Sequence, residues 1–144
     1  MKQFAELFAN LDQTNKTNTK VALLKEYFKQ APDADKLWVL ALFSHKRPRR
    51  QVNMARVREW TAQVADIPDW LFNESYNLVG DLAETIALVL PQSYEQNRQS
   101  LSEWMEFIRQ LGEEEEDDQK RLVLQAWQQL NEKERFIFIK LLTG

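Results

Sequence analysis

Between residues 67 and 91 the chain reads IPDWLFNESYNLVGDLAETIALVLP, and two apolar stretches meet there at one glycine, Gly80, set between Pro68 and Pro91. Few arrangements suit that pattern. Asp81 is placed to cap a helix, with Glu84 three residues on reaching back in a capping box. Leu82, Ile86, Leu88, Val89 and Leu90 make that helix apolar on most of its circumference, so it must lie centrally. Pro91 ends it by removing a donor and pushing Leu90 out of the helical region. Upstream, Pro68 opens a partner helix whose Trp70, Leu71, Tyr76 and Leu78 offer large apolar surface, and the two helices are expected to pack together. Gly80 is expected to be the hinge, either as a close approach or as a residue with φ > 0.

The rest of the chain agrees with a helical reading. Only 3 Gly and 4 Pro stand in 144 residues of which 44% are hydrophobic, too few turn residues for many short strands. The expectation is an all-α, single compact multi-helix domain over residues 1–144, of about eight or nine helices and no sheet. With no cysteine, disulfides, thiolate catalysis and Cys-based zinc sites are excluded. No apolar run approaches a membrane span and no signal-peptide pattern opens the chain, so a cytoplasmic protein is expected.

In chain order, Phe4, Leu7, Phe8 and Leu11 recur at the spacing of a buried helix face. Thr17 or Thr19 is placed to cap the next helix, with Val21, Leu24, Tyr27 and Phe28 facing inward. There Thr17, Thr19 and Lys20 offer hydroxyls, free backbone donors and a cation together, which is either a phosphate seat or an ordinary cap. Asp33 is expected to cap a third helix, largely buried through Leu37, Trp38, Leu40, Ala41, Leu42 and Phe43. Asn53 caps a fourth, with Met54, Val57, Trp60 and Val64 inward and Arg56 and Arg58 outward. Ser100 and Glu103 form a capping box before Leu101, Trp104, Met105, Ile108 and Leu111, and Gly112 stands where a C-terminal glycine is expected. Glu113 to Asp118, six carboxylates in a row, read as a solvated loop and helix start. A further helix carries Leu122, Val123, Ala126, Trp127 and Leu130. Asn131 and Glu134 then cap a run whose Phe136, Ile137, Phe138 and Ile139 read as helix and not strand.

Charge is unevenly divided. Residues 1–60 hold 12 Lys or Arg against 6 Asp or Glu, whereas residues 61–144 hold 7 against 16, within a net charge of −3. The positive half is densest at His45-Lys46-Arg47-Pro48-Arg49-Arg50, where the proline forbids continuous helix. Cations crowded on a turn repel one another unless an anion meets them, and arginine forks suit phosphate oxygens. The plainer reading is a solvated connection.

Three stretches carry a resemblance to a known family. The run from Ile67 to Pro91, the stretch Leu42-Phe43-Ser44-His45-Lys46-Arg47-Pro48-Arg49-Arg50-Gln51-Val52, and Lys140-Leu141-Leu142-Thr143-Gly144 resemble, in the same order, the N-terminal helical domain of ATP-dependent DNA ligases of the longer bacterial type. Arg49 stands where that family's basic turn has lysine, which keeps the charge. The resemblance implies a domain that clamps nicked double-stranded DNA while separate catalytic domains of a longer chain do the chemistry. It implies DNA contacts at Lys46, Arg47, Arg49, Arg50, Arg56, Thr17, Thr19, Lys20, Gly80, Lys140 and Thr143. ATP and magnesium belong, by the same resemblance, to the full-length enzyme, with no cofactor in this chain.

No Lys-x-Asp-Gly motif, glycine-rich phosphate loop, paired metal ligands or Ser-His-Asp set occurs, so no catalytic and no metal-binding residue is expected. A DNA-binding domain of a longer ligase, active in repair, replication or recombination, is the resulting expectation. The alternative is a helical protein-protein interaction module whose acidic face meets a basic partner.

Overall fold

The computed structural model describes residues 1–44, 50–93 and 97–143. Among these residues the elements are all helical: α1 Lys2–Asp12, α2 Thr17–Gln30, α3 Asp33–Phe43, α4 Met54–Ala65, α5 Asp69–Val79, α6 Leu82–Val89, α7 Leu101–Leu111, α8 Glu116–Gln129 and α9 Glu132–Thr143. None is long and apolar enough to cross a membrane.

The molecule is built on the pair α6 and α9, the most extensive helix contact. Leu82, Ala83, Thr85, Ile86 and Ala87 of α6 are buried, as are Ile137, Phe138, Ile139, Leu141 and Leu142 of α9. Both helices hide most of their circumference, as expected of elements that other helices surround. α1 lies along α9 with Phe8 and Phe136 ring centroids 6.0 Å apart, and α7 adds Trp104, edge-on to Phe138 at 5.5 Å. Phe8 and Phe136 are partly buried, whereas Trp104 and Phe138 are fully buried, and a fully buried aromatic side chain contributes roughly 1.5–3 kcal/mol from desolvation alone.

Local caps set the helix ends. Ser100 and Glu103 close the capping box on α7, and Asn131 and Glu134 exchange the same two bonds at the start of α9. Asn53 accepts from the Ala55 N–H and Asp81 from the Glu84 N–H, both at 2.8 Å. Glu116, Asp117 and Asp118 occupy the first turn of α8, where carboxylates oppose the helix dipole favourably. The run Phe136 to Ile139 is helical because the cap precedes it and the apolar residues find partners all round.

Several expectations are corrected. α2 begins after Lys16 with no side-chain cap, so neither Thr17 nor Thr19 caps it; Thr14 instead accepts from the Lys16 N–H at 3.2 Å. Asp33 is the first residue of α3 after Pro32, whose fixed φ suits a helix start. Leu37 and Leu40 are 69% and 56% exposed because α3 buries only one face, through Asp35, Val39 and Leu42. Val21 is also exposed, and α5 buries Phe72 while Trp70 and Leu78 face outward.

The two structural glycines differ from one another. Gly80 has φ +86°, a left-handed C-cap whose N–H reaches the Tyr76 carbonyl at 2.7 Å. Open space surrounds it, so the close approach expected there is absent and the backbone angle alone requires glycine. The close approach is at Gly112, where an added Cβ would meet the end of the Gln51 side chain.

A contact invisible in local sequence joins α3 to α7. Asp35, 4% exposed, accepts from the Leu101 and Ser102 N–H groups at 3.2 and 2.8 Å. It satisfies donors that a helix start leaves unpaired, from a position 66 residues earlier in the chain.

Candidate nucleic-acid interface

α9 delivers its C-terminal turn to the place where two other segments arrive. Lys140 donates to Asp81 at 2.6 Å, across 59 residues, and its ammonium lies 5.3 Å from the Phe136 ring centroid. Asp81 is the N-cap of α6, so one carboxylate closes the helix with one oxygen and holds Lys140 with the other. Partial burial acts to raise the Asp81 pKa, but the Lys140 bond and the α6 N–H groups outweigh it and hold the carboxyl below its ordinary value. Gly80 precedes this cap and turns the chain out of α5.

Arg50 reaches the same turn of α9. Its Nε donates to the Thr143 carbonyl at 2.9 Å, and the Gln51 N–H donates to the Leu142 carbonyl at 3.3 Å. Carbonyls at a helix end lack intrahelical donors, and a guanidinium there also opposes the negative end of the dipole. The Thr143 hydroxyl bonds back to the Ile139 carbonyl. Arg50 therefore positions the end of the basic turn against α9. Lys46, Arg47 and Arg49 lie outside the described residues.

Asp12 and Gln13, at the end of α1, line one cleft with Glu84 and Phe136, and residues 13–16 lead from there into α2. Thr17, Thr19 and Lys20 are exposed on its first turn. The structure thus brings Arg50, Lys140, Thr143 and the Gly80–Asp81 turn together at the start of α6 and the end of α9. Arg56 is turned elsewhere, pairing with Glu116 of α8 at 3.4 Å, and Arg58 lies 5.0 Å from the Tyr76 ring centroid.

Sequence reasoning missed the Asp81–Lys140 pair and the Arg50–Thr143 bond. The one legible signal was Asp81 itself, read as a cap only. Among the described residues, no group of three or more His, Cys, Asp or Glu is placed to hold a metal ion.

These features define a domain that is all-helical among the described residues, with Arg50 and Lys140 bonded at the last turn of α9 and the start of α6. The family model described as DNA ligase N terminus matches residues 1–144, and the chain belongs to that family. Membership gives it the role of a ligase's N-terminal domain and associates it with DNA and with a ligase's catalytic domains. No curated protein matches the chain.

Proposed function

We propose that this domain grips nicked double-stranded DNA by its backbone phosphates and holds it for catalytic domains of an ATP-dependent ligase, which would act in the cytoplasm with ATP and magnesium. The observation that carries this reading is the meeting, on the last turn of α9, of Arg50 with Thr143 and of Asp81, beside the Gly80 turn, with Lys140. Helix N-termini and arginine forks are phosphate-binding devices and do not distinguish bases. Arg50 already spends one donor on Thr143, leaving its other guanidinium donors for a phosphate. Lys140 would contact DNA only by sharing its ammonium with Asp81 or leaving it.

Fluorescence anisotropy with nicked and intact duplexes of the same sequence tests the proposal. Binding should weaken steeply with salt, change little when the sequence is scrambled, and favour the nicked duplex. Affinity that ignores salt, or no affinity at low salt, would overturn it.

A further inference from the structure

A second site lies at the opposite end of α9. Arg135 is 4% exposed, yet it has no ion-pair partner among the described residues. Its Nε donates to the Trp127 carbonyl at 2.8 Å and its Nη1 to the Pro91 carbonyl at 2.5 Å. Nη2 has no hydrogen-bond partner among the described residues. Burial pushes the guanidinium pKa below its ordinary value, and the charge of Glu132 acts against that shift. A buried cation held only by neutral carbonyls is costly and is stabilised by any anion that reaches it.

Access is available, because Arg135 lines an open cleft of about 560 Å³. The walls are Val64, Leu90, Leu124 and Trp127, with Gln92 and Gln128 beside them. Trp127 is 2% exposed, and its buried indole N–H has no hydrogen-bond partner among the described residues. The volume lies in the range of small-ligand sites. The cleft is separate from the DNA face: Arg135 precedes Thr143 by about 12 Å of helix rise.

We propose that this cleft binds an organic carboxylate on an apolar body, the acid pairing with Arg135 and the body packing on Trp127, Leu124, Val64 and Leu90. A planar carboxylate matches the guanidinium fork, and the apolar walls reject a bare hydrated ion. The same chemistry comes from a free acid or from an aspartate beside an apolar residue in a peptide.

Nuclear magnetic resonance of the 15N-labelled chain tests this through the five tryptophan indole signals, with Trp127→Phe assigning the relevant one. Titration with 3-phenylpropionate should move the Trp127 signal saturably, and the neutral 3-phenylpropionamide should bind at least about tenfold more weakly. Acetyl-Phe-Asp-amide forms the peptide arm, and the tighter of the two acids identifies the source. Gln128→Glu supplies a carboxylate from the wall itself, and it should weaken the acid about tenfold while the remaining indole signals stay in place. Acid and amide binding equally, inorganic phosphate moving the signal as strongly as the acid, or no shift up to about 10 mM of either acid would overturn the proposal.

Discussion

At the scale of single residues, Gly80 and Asp81 show two separate demands on adjacent positions. Gly80 has room for a side chain but a backbone angle that L-residues resist. Gly80→Ala should therefore cost about 1–2 kcal/mol, and Gly80→Asn clearly less, since asparagine tolerates that region. Gly112→Ala should cost less than Gly80→Ala, because the atom in its way ends a flexible Gln51 side chain. Urea titration of the three variants checks the order, and equal losses at Gly80 for alanine and asparagine would refute the backbone account. Asp81→Asn keeps a capping side chain while deleting the charge that holds Lys140. The Asp81 carboxyl is depressed in the folded state, so its contribution is present above its unfolded value of 3.8 and is lost as pH falls through the folded value. The variant should lose about 1 kcal/mol or less at pH 7, since both partners are over a third exposed. Its stability should also vary less with pH below about 5, as acid titration monitored by circular dichroism would record.

At the scale of elements, α3 and α7 depend on each other through one carboxylate. Asp35→Ala leaves the Leu101 and Ser102 N–H groups without their buried acceptor and should cost about 1–3 kcal/mol. Hydrogen exchange would reveal the loss first at those two amides, and unchanged protection there would mean that other acceptors suffice. This pair also marks what was legible in the sequence. Caps at Asn53, Asp81, Ser100 and Asn131 were readable because their bonds span two or three residues, and the apolar period of α7 and α8 located their inner faces. Contacts such as Asp35 to Ser102 and Lys140 to Asp81 were not, because they follow from how helices stack. The same reason explains Leu37, Leu40, Trp70 and Leu78: apolar composition alone does not say which face of α3 or α5 is covered. For the candidate site, the basic turn and Gly80 were readable as local features. The arrival of Arg50 and of Asp81, next to Gly80, at the end of α9, and the diversion of Arg56 toward Glu116, required the fold.

At the scale of the whole molecule, an excess of negative charge coexists with a basic first half, and the fold anchors Arg50 of that half to the C-terminal turn of α9. Arg50 is more than an exposed turn cation. Replacing it removes the bond to Thr143 as well as a charge, so its effect on DNA binding mixes stability with contact. The clean test separates the cluster. Lys46, Arg47 and Arg49 changed together to Ser should leave helical content unaltered, yet weaken binding to nicked duplexes of any sequence about equally, because phosphate contacts carry no base information. The log-log salt slope should flatten by up to about 2.7, about 0.9 for each true contact removed. Arg50→Ser alone should flatten it by up to about 0.9 and also lower the melting temperature slightly, whereas Arg50→Lys should restore the slope before the melting temperature, lacking the fork that reaches Thr143. Should the triple variant keep both the affinity and the salt slope of the parent, the basic turn is a solvated connection. Phosphate contact would then have to be sought at Thr17, Thr19 and Lys20, where α2 begins with an exposed first turn and no side-chain cap.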